Sequence, residues 1–575
     1  MKLKTLPTLV FGLCATLSVS AYEVPTTPQK KNVLLEEFTG IHCGYCPQGH
    51  TIAKNMQTAQ PETVYSIAIH GGSFAIPGSD EPDFRTEAGD ILNNGIGAEF
   101  YGTGYPSGMI NRHVFGGTSP ITGRGDWTKD GKDQSQQNAP VNLLLKSTFD
   151  GNSRELKVTV EGYYTENQQR EFNLLNVAIV QSNIKGPQNG GTMGDEYIHN
   201  HMLRDFITPA WGDTIKAPKQ GEYFTREYTY TLPLDIKKVE LKAEDIEIIA
   251  YVCADKTEVL NVTGEKPVYS NYDKALNGVL LSPDREIKGN YAYNFFEAKI
   301  KNESDQELTS AEFQVTINGN NQTVTWNGNI SSFETKPVVI KVNPYDFEVQ
   351  NNYTITLTKL NGQSITGNNL TGSFTAPSEC TPLLNIELQT DLYADENTFV
   401  IKDREGNIVK EFGPYQTDKK AVYKETASLE QGKIYCFEVN DQWGDGIQEP
   451  KGFYKISNQE NNSMITQQYD IKLFGSRFFF STALTSGIEN NTAEKGMSIF
   501  STTGSLEVSF IPEVSGVARI ELYSVSGQFI HSITVQTSAN ETVNETISTT
   551  AIPNGIYLVK IGQNDKNLIV KTTIR

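Results

Sequence analysis

The residues best suited to chemistry are Cys43-Gly44-Tyr45-Cys46. Two thiols three positions apart, where a strand gives way to a helix, suit thiol–disulfide exchange. A thiol with a pKa of ~8.5 is about 3 % ionised at pH 7, and lowering it to ~7 makes it half ionised. The unsatisfied N–H groups and positive dipole end of a helix start would favour the Cys43 thiolate as nucleophile. Cys46, one turn away, would then be the resolving thiol. Pro47 suits the first helical turn, where its missing N–H is not needed. The same spacing serves zinc and structural disulfides. Zinc would need a second, closely spaced Cys/His pair, which this segment lacks. Redox activity is the favoured reading, with a structural disulfide as the alternative.

The elements that must hold this motif follow from the apolar pattern. Val33 to Phe38 reads as a strand, a glycine turn and short helix follow, and Val64 to Ile69 reads as a second strand. That βαβ order implies a parallel sheet. A loop rich in Gly, Ser, Pro and Asp follows, long enough to be an insertion. Beyond Ala139 the pattern becomes period-2 alternation broken by turns, as in Leu156 to Val160 and Ile246 to Val252, which predicts β-sandwiches.

The run E-E-F-T-G-x-x-C-G-Y-C-P (Glu36 to Pro47) resembles the thioredoxin-like outer-membrane protein family of Bacteroidetes-type bacteria. Tyr197-Ile198-His199-Asn200-His201-Met202-Leu203-Arg204, with Trp211-Gly212 behind, is similar to that family's Y-x-H-N-H-x-x-R segment. The resemblance covers about Asn32 to Pro267. It implies that Glu37, six residues before Cys43, is a buried proton-transfer acid. It also implies that Gly104-Tyr105-Pro106-Ser107 is the thioredoxin proline turn, with Pro106 packed against the CxxC and the preceding backbone pairing with a bound peptide. His42 and Tyr45 depart from ordinary thioredoxins. His42 either stabilises the Cys43 thiolate or faces solvent.

Other constellations carry weaker signals. His199 and His201 would share a face of a strand and could share a metal, although no third ligand is fixed; a hydrogen-bonded structural segment beside Arg204 and Trp211 is favoured. Asp441-Gln442-Trp443-Gly444-Asp445-Gly446 is read as a structural turn ahead of a calcium loop, because it lacks the full EF-hand pattern. Arg124-Gly125-Asp126 is short enough to arise by chance. Cys380 and Cys436 are expected to form a disulfide, and Cys253 to be a buried, inert thiol. No cofactor and no metal are expected.

The two ends address the chain. Lys2 and Lys4, the apolar Leu6 to Val19 and the small residues Val19-Ser20-Ala21 read as a signal peptide that removes Cys14. At the other end, Ile520 to Gln528 and Ile552 to Ile561, closing on Lys571 and Arg575, resemble the type A sorting domain of type IX secretion. That resemblance implies passage through the outer membrane and engagement of the secretion machinery.

The chain has 575 residues and a net charge of −19. Such an acidic balance excludes nucleic acid as a bulk electrostatic partner. The expected protein is multidomain and mainly β. Segment 1–21 is the signal, 22–138 an α/β thioredoxin-like domain, 139–267 a β-sandwich and 268–377 an immunoglobulin-like module. Segment 378–485 is a further β-sandwich, 486–495 a linker and 496–575 the sorting domain. The expected function is an exported, surface or secreted thiol–disulfide oxidoreductase acting on protein thiols or disulfides. The alternative is a non-catalytic surface protein using the thioredoxin-like domain as scaffold, with its β modules contacting glycans or host proteins.

Overall fold

The computed structural model describes residues 23–482 and 497–574, apart from 217–218, 286, 288–290, 418–420, 448–450, 503 and 565. The signal segment with Cys14 and the linker expected over 486–495 lie outside the described residues. No helix among the described residues is long and apolar enough to cross a membrane.

Strand β1 (Val33–Thr39) is buried along its whole length. Helix α1 (Cys46–Ala59) follows, and β2 (Val64–His70) returns parallel to β1, with Val33 opposite Val64 and Thr39 opposite His70. After α2 (Glu87–Gly95) and α3 (Ala98–Tyr101), β3 (Ser107–Ile110) runs antiparallel to β1; β4 (Ile121–Gly123) and α4 (Trp127–Ser135) complete the segment. β1 is apolar on both faces because both are covered. Leu34 and Phe38 pack with Leu92 of α2, whereas Val33 and Leu35 pack with Ala53 and Met56 of α1 and with Trp127 of α4.

The chain continues through β5 (Val141–Asp150), β6 (Glu155–Tyr164), β7 (Phe172–Gln181), β8 (Ile184–Gly186), β9 (Tyr197–His199) and β10 (Met202–Phe206). Here the structure corrects the boundary expected at 138. One sheet runs Val259–Glu265, Ile246–Cys253, β7, β10, β2, β1, β3, β4, so strands from both sides of that boundary pair in a single layer. β7 and Ile246–Cys253 are apolar on both faces, which a half-wetted sandwich strand would not be. One face of this part of the sheet joins the core of α2. The other packs on a second sheet containing β5, β6, Tyr223–Thr231 and Val268–Ser270, with Val158, Val177, Ile179 and Ile248 in the shared core.

Two more sandwiches follow in the same compact unit. One encloses Phe313, Val315, Ile340 and Leu357 between a three-stranded and a five-stranded sheet. The next encloses Leu384, Ile386, Phe399 and Phe437. In it Asn397–Asp403 and Ile408–Phe412 form a hairpin. The described residues from 497 onwards form a separate unit, whose two sheets enclose Leu506, Ile520, Leu522 and Val559.

The disulfide expected between Cys380 and Cys436 is absent: both are free and buried. Strand Gly475–Thr482 lies between theirs, pairing with Ser378–Cys380 on one side and Ile434–Asp441 on the other. Two strand spacings put the Cα atoms at least ~9 Å apart, beyond the ~7 Å that a disulfide spans. Cys380 also faces its own sandwich core, while Cys436 faces Tyr293 and Phe479. Cys253 is free and buried, and burial pushes its thiol up to about 12.

Candidate functional site

Cys43 and Cys46 are joined by a disulfide, with Cα atoms 5.4 Å apart. The helix begins at Cys46, after Tyr45 as N-cap and with Pro47 in its first turn. Cys43 therefore precedes the helix rather than opening it, in a turn where Cys46 N–H donates to Cys43 O at 3.3 Å. Cys43 is 2 % exposed and Cys46 0 %.

What buries Cys43 includes a strap that sequence reasoning missed, between β8 and β9. Gln188 Nε2 donates to Gly40 O at 3.2 Å and to Cys43 O at 3.0 Å. Asn189 N–H donates to Ile41 O at 2.7 Å, and its side-chain amide donates to His42 O. Gly190, at φ +74°, lies directly over Gly44: a Cβ there would sit 2.0 Å from Gly44 O. The one available signal was the turn-rich run Gly186 to Gly191, which reads as an ordinary loop.

Glu37 and Pro106 meet on the helix. A Cβ added to Gly49 would lie 2.5 Å from Glu37 Oε1 and 3.0 Å from Pro106 Cβ, so glycine here leaves room for both. Gly49 is three residues after Cys46, on the same helical face. The Tyr105–Pro106 peptide is cis. Glu37 is 2 % exposed, its Oε1 has no hydrogen-bond partner, and burial pushes its carboxyl up to about 8. An acid whose carboxyl burial raises thus lies against Gly49 of α1, one turn on from Cys46.

Around Glu37 the fold collects three histidines from three elements. His50 of α1 lies 3.9 Å from Glu37 Oε1 through Nε2. That nitrogen is also 2.9 Å from Thr39 Oγ1, while Nδ1 is 2.8 Å from the Tyr197 hydroxyl. His199 packs against both His50 and His70. Both ring nitrogens of His70 and Nδ1 of His199 are buried without partners. Burial pushes His50 down to about 3 and His199 to about 4, and holds His70 well below its ordinary value. The cluster is uncharged at neutral pH.

The idea of a shared metal at His199 and His201 fails on geometry. β9 ends at His199, and His201 adopts φ +51°, with its Nδ1 3.7 Å from Glu247 instead. Arg204 is buried and donates to Val239 O at 2.9 Å, as a structural residue would. His42 Nε2 lies 2.8 Å from the Glu81 carboxylate, so the side chain is engaged by the loop after β2. Arg124 is likewise used locally: it bonds Gln48 Oε1 at 2.8 Å and stacks over the exposed Tyr45 ring.

The D-x-W-G-D-G run lies against this domain's helices. Asp441 Oδ1 accepts the N–H groups of Trp443 at 2.8 Å and Gly444 at 3.1 Å, and its other oxygen accepts that of Gly446. Trp443 inserts beside Met56, Ala53 and Trp127. Glu396, Asp441 and Asp445 are the one group among the described residues whose ligand-type atoms all lie within 4.8 Å. They already face a cation: Lys132 Nζ of α4 is 2.6 Å from Glu396 and 3.2 Å from Asp445.

With that geometry in place, comparison with known proteins addresses the chain. Residues 93–270 match the family model of outer membrane protein Omp28. The Omp28 match spans residue 138, as the shared sheet does; it includes the Tyr197–Arg204 segment and begins after the CxxC. Residues 502–575 match the secretion system C-terminal sorting domain. The protein is exported to the outer membrane or cell surface, and its last domain ties it to the secretion machinery. No curated protein matches the chain. Among solved structures, HBP35 of Porphyromonas gingivalis is 21 % identical, with 60 % of this chain and 99 % of that chain covered and a TM-score of 0.30. A domain of the outer membrane lipoprotein Omp28 from the same organism is 20 % identical, with 23 % and 91 % covered and a TM-score of 0.17.

Proposed function

We propose that the protein is a surface-exposed thiol–disulfide oxidoreductase whose N-terminal segment is thioredoxin-like. The observation that carries this reading is the buried, unpartnered Glu37 carboxyl, pushed up to about 8 and sharing Gly49 with Pro106 beneath the Cys43–Cys46 disulfide. A purely structural disulfide needs no buried acid below it, and leaving that oxygen unbonded costs about 1–3 kcal/mol.

The chemistry runs from the disulfide form. A thiolate of a protein substrate attacks Cys43 Sγ, the new S–S bond forms, and the Cys43–Cys46 bond breaks. Cys46 leaves as a thiolate and takes the proton of Glu37. A second substrate thiolate then attacks the substrate sulfur of the mixed disulfide. That releases an oxidised substrate and the Cys43 thiolate, and two electrons have passed from substrate to the pair. The reverse sequence reduces a substrate disulfide.

The test is the rate of disulfide exchange by the mature protein with a thiol-containing peptide, compared with Cys43→Ser and Glu37→Gln. The serine variant should lose activity, and Glu37→Gln should lose about 100-fold near neutral pH. Equal rates for all three would sink the reading. The burial of both cysteines, with the 188–190 strap bonded to the Cys43 carbonyl, favours a second reading, a non-catalytic surface protein with a closed structural disulfide. A pair that resists reduction at low potential would support it.

A further inference from the structure

Glu37 is 2 % exposed, on a strand buried along its whole length and against the inner face of α1. Opening of the disulfide would consume its proton, so in the reduced protein Glu37 regains one only from outside the Cys43–Cys46 pair. Next to Glu37 stands a side chain with two nitrogens that reach in opposite directions. His50 Nε2 faces Glu37 Oε1 at 3.9 Å and Thr39 Oγ1 at 2.9 Å, both on β1. His50 Nδ1 faces the Tyr197 hydroxyl on β9 at 2.8 Å, and Tyr197 is partly exposed. His199 lies against the same ring from β9, and His70 of β2 lies behind His199. Among the described residues no ammonium or guanidinium is bonded to His50.

We propose that His50, with Tyr197, is the positioning residue that reloads Glu37 with a proton from solvent. The proposal rests on the exchange reading above. The step balances without charging the buried ring. Once the ring closes the 3.9 Å gap from Nε2 to Glu37 Oε1, His50 gives its Nε2 proton to the Glu37 carboxylate and takes the Tyr197 hydroxyl proton at Nδ1, and Tyr197 takes one from water. The net change is one proton from water to Glu37, with hydroxide or buffer base left at the surface, and His50 has changed tautomer. The reverse half-reaction, in which Cys46 returns its proton to Glu37, runs the relay backwards and resets the ring. The neutrality that burial imposes on His50 suits this role, since a neutral imidazole has one donor and one acceptor nitrogen. Thr39 fixes the ring so that Nε2 stays on the Glu37 side.

Two measurements on the full mature protein test this, with His50→Gln as the main variant and Tyr197→Phe as a second. Glutamine keeps hydrogen bonds to Thr39 and Tyr197 but does not carry a proton from one end to the other, so it separates relay from packing. The first measurement is infrared hydrogen–deuterium exchange of the Glu37 carboxyl, its band assigned by its loss in Glu37→Gln. The second is stopped-flow reduction of Cys43–Cys46 by dithiothreitol as a function of pH, with and without imidazole. The expected result is carboxyl exchange slowed by ~10-fold or more in both variants, with His50→Gln reduction slowed similarly and restored by imidazole. Unchanged carboxyl exchange in folded His50→Gln overturns the relay. Should the wild-type disulfide not be reduced, the exchange reading falls, and the infrared measurement still decides whether His50 feeds Glu37.

Discussion

Gly190 lies on Gly44: the backbones approach so closely that a Cβ on residue 190 would come within 2.0 Å of the Gly44 carbonyl oxygen. This contact, with the Gln188 amide bonded to Gly40 O and Cys43 O, ties the strap to the CxxC turn and leaves Cys43 buried. Movement of residues 188–190 is thus one way to open the turn that carries Cys43.

Loosening the strap should expose the disulfide. Gly190→Ala introduces both that clash and a strained positive φ, and Gln188→Ala removes the two hydrogen bonds to Gly40 O and Cys43 O, about 1 kcal/mol each. We expect either variant to be reduced by dithiothreitol several-fold faster than wild type, with little change in the melting temperature of the remaining modules. Equal reduction kinetics would mean that the strap does not gate access.

The sequence made the chemistry of this site more legible than its enclosure. The CxxC, the apolar β1 and β2 runs and the parallel βαβ order are local patterns, and they appear as expected. The boundary at 138 misled because local alternation does not say which sheet a strand joins; β10 pairs with β2 across about 130 residues of chain and brings β7 with it. His50 and His70 carried no pattern at all, since their convergence on His199 is set by tertiary packing. The Cys380–Cys436 expectation failed for a similar reason: oxidising surroundings permit a disulfide, but the intervening strand Gly475–Thr482 forbids it.

That correction has a direct check. Alkylation of the denatured, unreduced mature protein should label Cys253, Cys380 and Cys436, and leave Cys43 and Cys46 unlabelled until a reductant is added. Peptide mapping by mass spectrometry reads this out. A peptide pair linked through Cys380 and Cys436 would contradict the strand order described above.

Stability should depend on pH in two opposing ways around the buried cluster. Glu37 is raised from 4.5 to about 8, so between these values the unfolded chain releases a proton that the folded one keeps. Its contribution is fully present below pH 4.5 and is lost as pH rises towards 8, at about 1.4 kcal/mol per unit. The histidines act in the other direction. His50 and His199 are lowered from 6.5 to about 3 and about 4, so their contribution is present above 6.5 and is lost as pH falls through that window. In Glu37→Gln the alkaline loss should disappear while the acid loss remains. Denaturant melts at several pH values test this, and an unchanged slope between pH 4.5 and 8 would place the Glu37 proton elsewhere.

Trp443 should matter to a helix almost four hundred residues away in sequence. It is 7 % exposed and packs with Val33, Met56 and Trp127, while Lys132 on the same side faces Glu396 and Asp445. Trp443→Ala would empty this contact and cost about 3–5 kcal/mol. The loss should fall on the segment carrying the disulfide, so hydrogen exchange of α1 and α4 amides should speed up along with the module that contains the substitution. The ion pairs make a second, separable statement. Because the Lys132 ammonium lies among the carboxylates where a divalent ion would sit, neither calcium nor EDTA should shift the wild-type melting temperature. Lys132→Met removes that cation and leaves Glu396 and Asp441 buried without compensation, so it should destabilise by roughly 3–5 kcal/mol. If calcium then restores the lost stability in Lys132→Met alone, the lysine is a built-in substitute for the ion. A calcium-dependent shift in the wild type would show instead that Lys132 is readily displaced.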